Sequence, residues 1–142
     1  MESKYGMKIF LADNDLFSLN IYQQQLNNLG YADVSKFNNS KDCLDNLSQN
    51  PDVIFLAYRM DSGNEAELLK KIKRFSPDIY VVFTAAPEDI EMVTCALKYG
   101  AFDYVEKKDH ELTGIGKILS RIYEIGELLK NAQPGFIKKI QG

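Results

Sequence analysis

A chain of 142 residues, 45% of them apolar, can bury one sizeable core and is expected to form one domain. A net charge of only −3 gives no field suited to nucleic acid or a membrane surface, and no apolar run approaches the ~18 residues of a membrane span. Two cysteines, Cys43 and Cys95, fall inside predicted helices without metal-ligand spacing and read as small, reduced core residues.

In chain order, Met1 to Gly6 is polar and expected to fray. Met7 to Ala12 reads as a first strand, and Asp13-Asn14-Asp15 follows as a cap for a helix over 16–29. Leu19, Tyr22, Leu26 and Leu29 recur at helical spacing, with Gly30 as the stop. A short second strand over 33–37 precedes a helix capped by Asn39 or Ser40, with Cys43, Leu44 and Leu47 on its inner face. Val53 to Leu56 is an unbroken apolar run after Pro51-Asp52, the signature of a central strand covered on both faces. A polar loop leads to a third helix over 65–75 that buries Leu68, Leu69 and Ile72. Ile79 to Thr84 is a fourth strand. Pro87 opens a fourth helix with Ile90, Val93, Ala96 and Leu97 inward, and Gly100 closes it. Ala101 to Val105 is a fifth strand. Asp109 is expected to open a long fifth helix in which Ile115, Ile118, Leu119, Ile122, Ile125 and Leu129 face the core, with His110 in its first turn. Pro134-Gly135 ends it, ahead of a tail carrying Phe136, Ile137 and Ile140. Five strands alternating with five helices predict an α/β, doubly wound parallel sheet.

In such sheets the chemistry gathers beyond the carboxyl ends of the strands, where strand order reverses. The central strand delivers Ala57 to that edge, and a methyl group can neither accept a phosphoryl group, ligate a metal nor move a proton. No glycine-rich phosphate loop of the G-x-G-x-x-G type is present, which leaves a small-ligand flavodoxin-like binder remote.

Several stretches carry a resemblance beyond pattern: 9–15 (Ile-Phe-Leu-Ala-Asp-Asn-Asp), 51–60 (Pro-Asp-Val-Ile-Phe-Leu-Ala-Tyr-Arg-Met), 67–73, 76–85 and 96–107. In their order and spacing the chain resembles the receiver domain of bacterial two-component response regulators, of the chemotaxis-regulator type, over about 8–130. Residues 1–7 are then an N-terminal extension and 131–142 a tail or linker. The resemblance implies a flavodoxin-like five-stranded sheet of order 2-1-3-4-5. It also implies a pocket in which an acidic pair and a phosphoacceptor aspartate hold Mg²⁺, a hydroxyl and a lysine meet the phosphoryl group, and an aromatic side chain reports its arrival. Carried over by position, Asp13 and Asn14 match the acidic pair, Ala57 the phosphoacceptor, Thr84 the hydroxyl, Lys107 the lysine and Tyr104 the switch aromatic. Lys108 stands where the family usually has proline, so an ordinary trans bond and a reshaped loop are expected.

Asn14, Ala57 and Lys108 depart from the family together. Asp13 alone is a poor Mg²⁺ site, so metal binding is expected to be lost or weak, with no cofactor and no enzymatic activity. No other acid replaces residue 57: Asp52 lies at the far end of the strand, about 16 Å away at ~3.3 Å per residue, Asp61 sits in a loop, and Asp15 serves as a cap. Lys107, without its usual counter-ion, is expected to pair with Asp13, with Asn14 or Thr84 attached. Two readings follow. In the first, the chain is a cytoplasmic pseudo-receiver, independent of phosphorylation. It would bind a signalling protein, an output domain or a second copy through its fourth helix, fifth strand and fifth helix, where Asp89, Glu91, Lys98, Tyr99, Asp103, Lys108 and Lys117 would be exposed. In the second, it is a genuine phosphoacceptor for a histidine kinase, with Mg²⁺, whose aspartate was replaced by Ala57 through engineering. The accompanying Asn14 and Lys108 weigh against the second, because engineering one site does not explain three.

Overall fold

The apolar run Val53–Ala57 (β3) lies in the middle of the sheet, buried along its whole length. The computed structural model describes residues 2–60 and 65–131. Beside β3 run Ile9–Ala12 (β1) and Tyr80–Ala85 (β4), with Val34–Phe37 (β2) outside β1 and Asp103–Lys108 (β5) outside β4, all parallel. Alternate residues along each strand point to opposite faces. Ile9, Leu11, Val53, Phe55, Val82 and Val105 therefore meet helices α1 (Leu16–Asn28) and α5 (Ile115–Asn131). Phe10, Ile54, Leu56, Val81 and Phe83 meet α2 (Ser40–Asp45), α3 (Glu65–Phe75) and α4 (Ile90–Ala96). The chain is doubly wound, as its alternation of elements predicts. Asp15 caps α1 by accepting from the Phe17 N–H, and Asn39 caps α2 by accepting from the Asp42 N–H at 2.8 Å.

The sheet differs from the five-stranded expectation at its β5 end. β5 continues to Lys108, and Asp109 does not open a helix. Asp109 and His110, with φ of 52° and 65°, form a two-residue turn. Glu111–Leu112 (β6) then pairs antiparallel with β5, Lys107 opposite Leu112 and Lys108 opposite Glu111. Positive φ at both central residues suits the right-handed twist of a hairpin. The sheet thus has six strands in the order β2-β1-β3-β4-β5-β6, and α5 starts only at Ile115. The described peptide bonds are all trans, so Lys108 follows an ordinary bond into a reshaped loop. The open edge of β6 is met by α1: Gln25 Oε1 accepts from the Leu112 N–H at 2.9 Å, and Gln25 Nε2 donates to the Leu112 carbonyl at 3.2 Å. One amide side chain satisfies both backbone groups of an edge residue.

Other expectations are corrected locally. Residues 4–6 form a 3-10 turn rather than fraying, with the Lys4 N–H donating to the Gly30 carbonyl at 2.7 Å and Tyr5 stacked on Tyr123. Cys95 is exposed, because α4 is short and its turn of residues 94–95 faces outward; only Val93 of that helix is fully buried. Cys43 is a core residue, and burial pushes its thiol up to about 12. Leu129 is 59% exposed and Leu29 is also exposed, because each lies at the end of its helix, past the last buried residue of its stripe, Ile122 or Leu26. Asp61 and the tail residues Phe136, Ile137 and Ile140 lie outside the described residues. No described helix is long and apolar enough to cross a membrane.

Replacing Gln25 with Ala removes both clasps on β6. The expected cost is about 1–3 kcal/mol in urea denaturation, from two net hydrogen bonds, with faster hydrogen exchange at the Leu112 amide than in the wild-type chain.

Candidate functional site

Parallel strands end at one edge, and their last residues converge there whatever their distance in sequence. Asp13 and Asn14 follow β1, Ala57 ends β3, Thr84 lies opposite Ala57 on β4, and Lys107 lies near the end of β5. All five line one depression of about 250 Å³, which Tyr58, Arg59 and Asp89 also border. The positions that the sequence singles out are therefore neighbours in space. At the centre of β3's edge is a methyl group, 9% exposed.

Asp13 is 3% exposed, and its carboxylate is met on both oxygens. Oδ1 accepts from the Asp15 N–H at 2.9 Å, and Oδ2 accepts from the Tyr22 hydroxyl at 3.1 Å. Lys107 Nζ stands 3.5 Å from Oδ2, 3.8 Å from the Asp15 carboxylate and 5.9 Å above the Tyr22 ring. The expected Asp13–Lys107 pair thus forms, with Tyr22 as its third member. Burial, then the Asp13 charge, push the Tyr22 phenol far above its ordinary value, so it stays protonated as a donor. Asp15 is held below the usual carboxylate range, chiefly by the Ser18 hydroxyl, which donates to it at 2.8 Å.

Neither Asn14 nor Thr84 joins this pair. Asn14 Nδ2 donates to the Met60 carbonyl at 3.4 Å, turning away along the β3 loop. The Thr84 hydroxyl is buried and has no partner among the described residues. Tyr104 is half-buried against the core layer that contains Val93 of α4. Lys108 is exposed on the hairpin. His110 is not in a helix: its ring packs edge-on against Phe17, with Nδ1 3.2 Å from the Ser18 hydroxyl and 3.6 Å from Asp15. Asp89 is not a surface residue either. It is 6% exposed and accepts from Arg59 Nε at 2.7 Å, which ties the β3 loop to the start of α4. In the sequence Tyr22 is one member of α1's apolar stripe. Its polar tip in that row, two turns below the acidic pair, is the signal for its second role.

A doubly wound sheet whose strand ends gather a carboxylate, a hydroxyl and a lysine is the architecture of a signalling receiver. The family model for the response regulator receiver domain matches residues 9–115. The transcriptional regulatory protein ZraR of Klebsiella oxytoca is 33% identical over 100 residues, which is 70% of this chain and 22% of ZraR. The chemotaxis protein CheY of Thermotoga maritima is 21% identical over 103 residues, 72% of this chain and 86% of CheY. In fold, the crystal structure of a response regulator receiver domain protein from Clostridium thermocellum superposes with a TM-score of 0.75 at 22% identity, covering 87% of this chain and 98% of that one. The chain belongs to the response regulator receiver domain family of two-component signalling. It spans about a fifth of the length of ZraR, the relative it matches at 33% identity.

Tyr22→Phe removes one of the three hydrogen-bond donors to the buried Asp13 while keeping the ring in the core. The expected loss is about 1.5–3 kcal/mol, the range for hydrogen bonds to charged groups, read from urea denaturation. A loss below a few tenths would mean that Lys107 alone satisfies that oxygen.

Proposed function

We propose that this chain is a receiver that works without phosphorylation, as a protein-interaction module of a bacterial cytoplasmic signalling pathway. The observation that carries the reading is Ala57: the β3 position facing the depression with Asp13, Thr84 and Lys107 offers a methyl group where a phosphoryl group would be attached. The neighbouring acids do not take over its role. Asp15 is committed to the α1 cap and Ser18, Asp89 to Arg59, and Asp52 accepts from the Lys8 N–H at the opposite end of β3. Asp15 and Asp89 are held by these contacts and Asp52 is distant, while Glu88, exposed on the rim of the depression, extends from the turn before α4 and not from the edge of β3.

Magnesium fits this donor set poorly. Hard divalent cations take several anionic oxygens, whereas here Asp13 is already bonded on both oxygens and Asn14 turns toward Met60. Among the described residues no group of three acidic, histidine or cysteine side chains could hold a metal ion. Thr84 is left as a strand-end hydroxyl, and Tyr104 as packed aromatic surface rather than a phosphate reporter.

Output then comes through a binding surface. The face made by α4, β5 and α5 carries exposed Glu91, Met92, Lys98, Tyr99, Lys108 and Lys117, while Asp103 is tied to Arg121 at 3.1 Å. This mix of charge and apolar area suits a signalling protein, an output domain or a second copy of the chain. ZraR carries its receiver-like portion within a much longer transcriptional regulator. An output domain here would be supplied either by further chain or by a separate partner.

Incubation with acetyl phosphate and Mg²⁺, read by intact mass, tests the proposal. The wild-type chain should gain no phosphoryl adduct, and Ala57→Asp should gain one if the remaining pocket is competent. A stoichiometric adduct on the wild-type chain would overturn the proposal, and the modified residue would then be mapped by peptide mass.

A further inference from the structure

A second concavity lies at the opposite edge of the sheet from Ala57, where residues leading into β1 and β2 approach α5. It holds about 460 Å³ between the end of α1 and one side of α5. Its wall is apolar, built from Leu29, the Tyr31 ring and the bare backbone of Gly116, which lies against the Leu29 side chain. Around this wall stand three cations, Lys4, Lys117 and Arg121, against a single carboxylate, Glu124. Lys4 Nζ sits 5.7 Å above the Tyr31 ring, and Arg121 already pairs with Asp103 at 3.1 Å. Lys4 and Lys117 make no ion pair among the described residues.

Tyr31 supplies a separate observation. It is 1% exposed, and its hydroxyl is buried with no hydrogen-bond partner among the described residues. Buried polar groups are ordinarily paired, and an unmade hydrogen bond there is destabilising. An open groove with an apolar floor and charged groups around it can seat the body of a small organic molecule. Unbalanced cations on a chain of net charge −3 select for an anion. A bare oxyanion would leave the apolar wall uncovered, and an uncharged ligand would leave Lys4 and Lys117 unpaired.

We propose that the groove between α1 and α5 binds a small organic anion, a carboxylate or phosphate monoester carrying an aromatic or alkyl body. Its body would lie on Leu29, Tyr31 and Gly116, and its charge would face Lys117 and Lys4. The site is independent of the Ala57 pocket, and its occupancy would be an input to the receiver that needs no phosphoryl transfer.

The test is an amide NMR titration of the full chain with phenyl phosphate, beside inorganic phosphate as the anion alone and benzyl alcohol as the apolar body alone. Phenyl phosphate should give saturable shifts at Leu29, Tyr31, Gly116 and Ser120, with each control weaker by about tenfold or more. Reversing a facing charge in Lys117→Glu, or separately in Lys4→Glu, should weaken binding about fivefold or more without altering the rest of the spectrum. The proposal is overturned if phenyl phosphate gives no saturable shifts, if inorganic phosphate binds as well, or if the shifts centre on Ala57. Unchanged affinity in both charge-reversal variants would also overturn it.

Discussion

A carboxylate buried at the end of β1 must be met by donors, because an unpaired charge there costs several kcal/mol. Asp13 is met by the Asp15 N–H, the Tyr22 hydroxyl and the Lys107 ammonium, and much of the architecture at this edge serves that arrangement. The first donor belongs to the turn that caps α1, the second to α1's inner face, and the third to β5, three places from β1 in the sheet order. One buried charge therefore fixes the top of α1 against both halves of the sheet. With a methyl at position 57, nothing on β3 competes for Lys107.

The hairpin after β5 is the second half of this device. Lys107 is paired in register with Leu112, and Leu112 is in turn held on both backbone groups by Gln25 of α1. His110 at the turn leans on Phe17 and Ser18 near the start of the same helix. In this chain the segment following the lysine is a strand clasped along α1. A lysine paired with Asp13, a methyl at position 57 and a hairpin after β5 meet at one edge of the sheet, and the proposed function rests on their combination.

How much of this could be read from sequence depends on the kind of force involved. Val53–Leu56 and Ile79–Thr84 announced central strands because unbroken apolar runs have few other uses, and the stripes of α1, α3 and α5 announced the covering layers. The Asp13–Lys107 pair was legible as well, since losing one counter-ion leaves few alternatives for a half-buried lysine. The hairpin was not. Asp109-His110 lacks the Asn-Gly or Asp-Gly signature of a tight turn, and Leu112 is one apolar residue among charges, so the segment read as the start of α5. Tyr22 hid in an apolar stripe because its ring satisfies the helical pattern and its hydroxyl leaves no trace in periodicity. Cys95 and Asp89 escape the pattern for a related reason: in a seven-residue helix and the 3-10 turn before it, burial is set by neighbouring contacts rather than by a repeat.

Under the proposed function Asp13 is satisfied within the chain and no seat remains for a divalent cation. An amide NMR titration of the wild-type chain with MgCl₂ at constant ionic strength tests it most directly. The account predicts no saturable shifts at Asp13, Asn14, Thr84 or Lys107 up to tens of millimolar. Saturation in the low millimolar range at those four residues would contradict it, because the Tyr22 and Lys107 contacts would then have to open to admit the ion.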